Sequence, residues 1–191
     1  LRGAIGEERA RAGEERTRAL EERTRALEER TRALEWHLIG PLQSNKARLA
    51  ASRFAWVHTI DRVKIAERLS AARPADAPPL DVCVQVNASG ETSKSGVAPA
   101  DAVALATAVA ALPRLRLRGI MGIPEPTDDL ERRRSQLRVL RGCLEACRTA
   151  GLPVDTLSMG MSEDLEDAIA QGATLVRVGT AIFGPRDGNA H

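Results

Sequence analysis

From Glu35 onward, short apolar runs alternate with helical patterns, and this alternation constrains the fold more than any other feature of the chain. Strands that alternate with helices of about ten or more residues indicate βαβ units in a parallel sheet. The predicted strands are Glu35–Ile39, Trp56–Thr59, Asp81–Val86, Leu115–Met121, Thr156–Ser158 and Leu175–Val178. Helices are predicted after them at Gln43–Arg53, Arg62–Ala72, Pro99–Leu112, Leu130–Ala150 and Glu163–Gln171, with a short turn from Thr180. Such units fit either an open doubly wound sheet or most of a (β/α)8 barrel.

The segment ahead of these units is a repeat, because Glu14–Leu34 reads EERTRAL three times. Thr and Leu recur at spacings of three and four, and Glu precedes Arg by four residues, as in Glu14 and Arg18. Each such pair favours a helix by about 0.2–0.5 kcal/mol. The helix is either a coiled-coil partner or a solvated, low-complexity segment, and threonine on the seam favours the second. The predicted organisation is therefore a heptad-repeat helix at 1–34, an α/β domain at 35–187 and a tail at 188–191.

Charge and composition exclude several classes of protein. The net charge is +2, which gives no electrostatic reason to bind nucleic acid or an anionic membrane. No apolar stretch is long enough for a transmembrane helix, and no export signal is visible, so we predict a cytoplasmic protein. The three cysteines form no CxxC or Cys/His cluster, so no metal site or disulfide framework is predicted. There are only three lysines, Lys46, Lys64 and Lys94, and no tyrosine.

The loops at the carboxyl ends of the strands are where ligands bind in parallel α/β folds. Ser162 follows the fifth strand and precedes Glu163 and Asp164, which is typical of a helix N-cap. Gly179 and Thr180 follow the sixth strand and begin another short helix. Two such turns after the last strands commonly bind phosphate in barrels. The alternative is that Ser162 only caps a helix and Gly179 only forms a turn, and the spacing leaves both open.

Arg177 lies in the otherwise apolar segment Leu175–Val178, and a buried guanidinium needs a partner. That partner is either a ligand or a carboxylate in a core ion pair. His37 is interpreted as a strand-end histidine with its hydrogen bonds satisfied, in preference to a base. The other polar loop residues are interpreted as loop or turn formers: Asn45, Lys46, Asn87, Glu91 and Lys94.

Taken together, these loops resemble the pyridoxal phosphate homeostasis protein family, a single-domain relative of the alanine racemase barrel. The resemblance covers about Glu35 to Arg186 and consists of five motifs in order. They are Trp36-His37-Leu38-Ile39-Gly40-Pro41-Leu42-Gln43-Ser44-Asn45-Lys46, Gln85-Val86-Asn87 with Gly90-Glu91-Thr92-Ser93-Lys94-Ser95-Gly96, Gly119-Ile120-Met121, Leu157-Ser158-Met159-Gly160-Met161-Ser162, and Arg177-Val178-Gly179-Thr180-Ala181-Ile182-Phe183-Gly184.

The resemblance implies a fold-type III (β/α)8 barrel that binds pyridoxal 5′-phosphate (PLP). Ser162 and the backbone of Gly179 and Thr180 would hold the phosphate, and Arg177 would face the pyridine nitrogen. A cation there disfavours a protonated ring, which weakens the electron sink that PLP enzymes exploit. The family is regarded as a carrier or buffer of the cofactor, so no catalytic residue is predicted.

The N-terminal part departs from the family pattern. The family has a first strand with the lysine that attaches the cofactor covalently, and a second strand that ends in Gly-Glu-Asn. Neither is readable here, and Gly6-Glu7-Glu8-Arg9 is interpreted as a remnant of the second motif. We therefore expect a barrel that lacks its first two strands, with the lysine upstream of Leu1. PLP binding by this chain would then be non-covalent.

Two other functions compete with PLP homeostasis. The second hypothesis is a helix-mediated interaction protein with a decayed barrel, in which the heptad segment is the functional part. An amino-acid racemase is the third hypothesis, but it needs a first-strand lysine and a tyrosine from a second domain, and the chain shows neither. The sequence therefore predicts a PLP-binding homeostasis protein that is not an enzyme, with its oligomeric state left open.

Overall fold

A computed structural model describes residues 16–18, 20–24, 34–91 and 94–184 of the chain. Backbone contacts divide the chain into two compact units, Leu1–Glu35 and Trp36–His191, and each is described by itself. In the first unit, residues 16–18 and 20–24 are helical, and the Thr24 hydroxyl donates a hydrogen bond of 2.9 Å to the Leu20 carbonyl. Leu34 is not helical. The rest of the predicted heptad helix, and the predicted tail at 188–191, lie outside the described residues.

The second unit contains a sheet of five parallel strands that pair in the order in which they occur along the chain. They are β1 (His37–Leu38), β2 (Trp56–Ile60), β3 (Leu80–Gln85), β4 (Leu115–Met121) and β5 (Thr156–Ser158). The helices between and after them are α1 (Ala47–Arg53), α2 (Val63–Ala72), α3 (Ala102–Ala110), α4 (Leu130–Thr149), α5 (Leu165–Ala170) and α6 (Thr180–Phe183). Short 3-10 turns at Ser44–Lys46 and Pro99–Asp101 precede α1 and α3.

All the large helices pack on one face of the sheet. The main core joins buried strand residues such as Val57, Val82 and Ile120 to buried helix residues such as Leu69 and Leu140. A separate small cluster on the other face contains Trp56, Cys83 and Met121. In a doubly wound sheet, helices cover both faces and the strand order reverses. Among the described residues, the large helices lie on one face and the strands pair in chain order. The structure is therefore a parallel β/α half-barrel of five strands, which decides between the two predicted folds.

Local sequence explains where the longest helix begins and ends. The Asp129 side chain accepts hydrogen bonds from the N–H groups of Glu131 and Arg132 at 2.9 and 3.1 Å, so it caps the first turn of α4. Gly151, at φ +82°, follows the last turn and donates its N–H to the Arg148 carbonyl. Only glycine enters this left-handed conformation without a steric penalty, so the helix ends there.

The sixth predicted strand, Leu175–Val178, is not formed as a strand. A single bridge joins Leu175 to Ser158 at the end of β5. Beyond it the N–H groups of Met159 and Arg177 donate to the carbonyls of Leu175 and Gly160. Gly160 lies at φ +96°, which turns the chain away from extended geometry and ends the regular pairing. The other five strands are confirmed, although the first is shorter than predicted.

Candidate functional site

The face of the sheet opposite the helices carries aromatic and polar side chains. Trp56 is the largest of them, and the His37 ring stacks on it with a centroid separation of 5.1 Å and an interplanar angle of 9°. The Arg118 guanidinium lies 4.7 Å from the centroid on the same ring system, in cation–π geometry. This face therefore differs from the apolar core behind it and is the place where ligand chemistry is available.

Arg177 is fixed at the carboxyl end of β5. Its Nη1 donates to the carbonyl and the hydroxyl of Ser158 at 3.0 and 2.9 Å, and its Nη2 donates to the Gly122 carbonyl at 2.9 Å. These partners are neutral, and among the described residues no salt bridge of Arg177 is found, so the core ion pair is not formed. Burial lowers the pKa of the guanidinium, while nearby Asp164 and Cys83 raise it.

The Arg177 Nε atom is buried and has no hydrogen-bond partner within the described part of the chain. A buried N–H without a partner costs about 1–3 kcal/mol, so the Arg177 Nε is a donor that an added acceptor would satisfy. A neutral ring nitrogen is an acceptor that suits this donor. The residues present therefore fit the pyridine ring of PLP at this position.

Two histidines continue the hydrogen-bond chain from Ser158 across the sheet. His58, on β2, has its Nδ1 3.0 Å from the Ser158 hydroxyl oxygen, and its Nε2 lies 2.8 Å from Nδ1 of His37. The His58 side chain is fully buried. Burial, reinforced by His37 and Arg177, lowers the pKa of His58 to about 4, so the ring is neutral at pH 7.

Sequence reasoning missed His58 and gave Ser158 no separate role. A signal was present, because His58 interrupts the otherwise apolar start of the strand Trp56–Thr59 on the alternate position shared with Trp56. His37 lies in β1, and its contact with His58 agrees with the interpretation of a histidine whose hydrogen bonds are satisfied.

Ser162 does not cap a helix, and this prediction is wrong. The helix begins at Leu165 and its N-cap position is Asp164. The Asp164 carboxylate accepts the N–H of Met161 at 2.6 Å, which closes a turn over residues 161–164 and delays the helix. Ser162 is exposed in that turn. Its predicted contact with a phosphate stays a prediction.

Gly179 and Thr180 begin the short helix α6, where the Gly179 carbonyl accepts the N–H groups of Ile182 and Phe183 at 2.9 Å. Both residues are exposed. Backbone hydrogen bonds from Thr174 to Leu157 and from Arg177 to Gly160 keep this segment alongside the end of β5. The turn with Ser162 and the turn with Gly179 therefore leave the sheet at the same edge.

The loop after β3 is organised by Asn87, as the sequence predicts for a turn former. Its Nδ2 donates to the Glu91 carbonyl at 2.7 Å, and its Oδ1 accepts from Ser89 and from the Gly90 N–H. The Lys94 Nζ is buried and has no hydrogen-bond partner within the described residues, but it lies 3.6 Å from a carboxylate oxygen of Glu91, at ion-pair distance. Lys94 is therefore paired within its own loop.

Ion pairs occupy the opposite end of the strands. Asp81 at the start of β3 binds Arg116 and Arg118, and Arg118 also contacts Asp155 at 2.8 Å. The hydrogen bond from Arg118 lowers the pKa of Asp155 and raises that of Arg118. These ion pairs form at the amino ends of the strands, away from the turns with Ser162 and Gly179.

The part of the chain that the structure describes has no group of three or more metal-binding side chains and no helix able to cross a membrane.

Residues 11–187 match the family described as alanine racemase, N-terminal domain. The chain belongs to this family. A pyridoxal phosphate homeostasis protein of Pseudomonas aeruginosa is 60% identical over 152 residues, and one of Escherichia coli is 56% identical over 153. Each match covers 80% of this chain and 65% of the relative, so the chain spans slightly less than two-thirds of their length. The resemblance identified in the sequence is confirmed.

Solved structures agree with the fold. PipY of Synechococcus elongatus without PLP aligns with a TM-score of 0.73 and 36% identity, and covers 79% of this chain and 71% of PipY. The same protein with PLP bound aligns with a TM-score of 0.71 and 35% identity over the same shares. An alanine racemase of Clostridium difficile aligns at 0.68 with 16% identity, covering 82% of this chain and 41% of the racemase, which shows the shared fold alone.

Proposed function

We propose that this chain is a PLP-binding protein of cofactor homeostasis and that its described residues bind PLP non-covalently. Relatives at 56–60% identity carry that name, and PipY has been solved with PLP bound. The observation that carries the proposal is Arg177, whose guanidinium is held by Ser158 and Gly122 while its buried Nε lacks a partner. The sheet is then the arc of a (β/α)8 barrel whose domain is 35–187, and 1–34 is a heptad-repeat segment in which Leu34 is not helical.

The phosphate would be held by the Ser162 hydroxyl and by the backbone N–H groups of Gly179 and Thr180. The proposal is supported by the two turns that leave one edge of the sheet next to Arg177. Hydrogen bonds to a charged group contribute about 1.5–3 kcal/mol each, so two or three support weak, reversible binding after the cost of association.

The protein is proposed to be cytoplasmic, with no nucleic-acid or membrane partner.

The ring would rest against Arg177. When bound, PLP supplies an electron-accepting pyridine ring, and this capacity is greatest when the ring nitrogen is protonated. Arg177 can only donate to that nitrogen, so it holds the nitrogen unprotonated. The chain also has no tyrosine to act as a second base in racemisation. Both features favour storage and delivery of the cofactor over catalysis.

Covalent attachment is not part of this proposal. Lys46 and Lys64 are exposed, and Lys94 is engaged by Glu91. We therefore expect that borohydride reduction of the 191-residue chain with PLP yields no stoichiometric adduct by intact mass. An adduct mapped to one of these three lysines would show that the covalent anchor lies within the chain.

Titration of the purified chain with PLP, with and without inorganic phosphate, tests the proposal. Phosphate should compete, Ser162→Ala should weaken binding several-fold, and Arg177→Ala should weaken it at least as much. Ser52→Ala, an exposed serine on α1, and Arg141→Ala, an exposed arginine on α4, are matched controls that should bind like the parent. Unchanged binding in both site variants would show that the site is wrong. Helical oligomers without PLP binding would favour an interaction protein.

A further inference from the structure

Hydrogen bonds link Arg177, Ser158, His58 and His37, and the chemistry of these groups determines which atom donates in each bond. The Arg177 guanidinium carries only donor groups, so its Nη1 donates to the Ser158 hydroxyl oxygen at 2.9 Å. A serine has one proton, and among the described residues the other partner of this hydroxyl is the His58 Nδ1 at 3.0 Å. The serine proton finds a partner only if Ser158 donates to His58. His58 Nδ1 is then the acceptor.

This assignment also determines the direction of the hydrogen bond between His58 and His37. A neutral His58 that accepts at Nδ1 carries its proton on Nε2, which points at His37 Nδ1 at a distance of 2.8 Å. His58 therefore donates to His37, and every polar atom of the buried ring is satisfied. The opposite tautomer would donate to Ser158 and leave the serine proton without a recorded partner among the described residues. A buried donor left unsatisfied costs more than the hydrogen bond contributes.

We propose that His58 is a positioning residue for the ligand-facing arginine. By accepting the Ser158 proton, His58 turns the serine lone pairs toward Arg177. Ser158 and the Gly122 carbonyl then hold the two terminal nitrogens of the guanidinium, and the buried Nε has no partner among the described residues. His37 holds the other side of the His58 ring, and Trp56 stacks against it at 5.5 Å. The inference rests on the proposed PLP function for what Arg177 faces, and on geometry alone for how Arg177 is held.

Two substitutions separate positioning from packing. His58→Asn keeps an acceptor near the place of Nδ1, whereas His58→Leu keeps apolar volume and removes the acceptor. His58→Leu should weaken PLP binding about fivefold to tenfold, the effect of one lost hydrogen bond, and should speed solvent exchange of the Arg177 Nε–H. His58→Asn should restore binding to within about threefold of the parent and keep that exchange slow. Urea unfolding of both variants shows whether either has lost its fold.

Histidine ¹⁵N NMR of the ligand-free chain tests the arrangement without PLP. The signals lost in His58→Asn identify His58, which should be neutral at pH 7 with its proton on Nε2. A proton on Nδ1, or equal loss of PLP binding in folded His58→Asn and His58→Leu, would overturn the proposal. If the parent chain binds no PLP, the proposed function fails. In that case the tautomer and the Arg177 Nε–H exchange still decide whether His58 positions Arg177.

Discussion

The two faces of the sheet are built by different rules, although they alternate along the same strands. On β2 and β3, Val57, Val82 and Val84 point to the helices and join the main core, whereas Trp56 and His58 point the other way. The helix side needs only apolar side chains of suitable volume. The other side carries buried polar groups, each of which needs a partner in a definite place. Stability therefore resides mostly on one face and ligand chemistry on the other.

The sharpest way to break both faces at once is to separate β4 from β5. A Cβ added at Gly119 would lie 1.9 Å from the Thr156 carbonyl oxygen, which is backbone and cannot move without disrupting the strand pair. Gly119→Ala should therefore lower the free energy of unfolding by more than about 3 kcal/mol, beyond the usual cost of overpacking. Urea denaturation followed by circular dichroism measures the change.

Gly142→Ala is the matched control, because Gly142 lies in α4 with nothing within 4 Å of its added Cβ. That variant should gain about 0.5–1 kcal/mol from the better helix propensity of alanine. Equal stability of Gly119→Ala and Gly142→Ala would mean that the close approach of β4 and β5 does not occur in solution.

The comparison also explains which parts of the molecule were predictable. The apolar periodicity of β2 to β5 and of α2 and α4 reports burial against the helices, so those elements were predicted nearly within their bounds. The prediction of a strand at Leu175–Val178 is wrong because apolar residues alone do not show that the neighbouring segment leaves extended geometry at Gly160. The partners of Arg177 were beyond prediction, because Ser158 and Gly122 are 19 and 55 residues away along the chain.

The polar face predicts a pH dependence that the apolar face cannot produce. The pKa of His58 falls from its ordinary 6.5 to about 4 on folding, mainly through burial. The unfolded chain therefore binds the proton more tightly, and stability is fully present above pH 6.5 and lost as the pH falls toward 4. Between pH 7 and pH 5 this group alone should reduce the free energy of unfolding by about 2 kcal/mol.

Urea denaturation of the parent and of His58→Asn at both pH values isolates this contribution from that of the carboxylates. The parent should lose about 2 kcal/mol more than the variant between pH 7 and pH 5. Identical pH dependence of the two proteins would show that His58 is not buried as a neutral ring, and the distinction between the faces would lose its electrostatic part.

The smallest effect is expected from a change that touches neither face. Deleting Glu21–Leu27 removes one seven-residue copy, keeps the heptad register and would shorten the helix predicted from the sequence by about 10 Å. The repeat carries equal numbers of Glu and Arg, so it has no field to attract an anionic ligand, and threonine on its seam packs poorly. We expect unfolding free energy and phosphate-competed PLP binding to change little. If the repeat is instead needed to keep the chain in solution, the deletion should cause aggregation. Sedimentation of the deleted chain distinguishes the two outcomes, since loss of soluble protein would contradict the expectation that the repeat is passive.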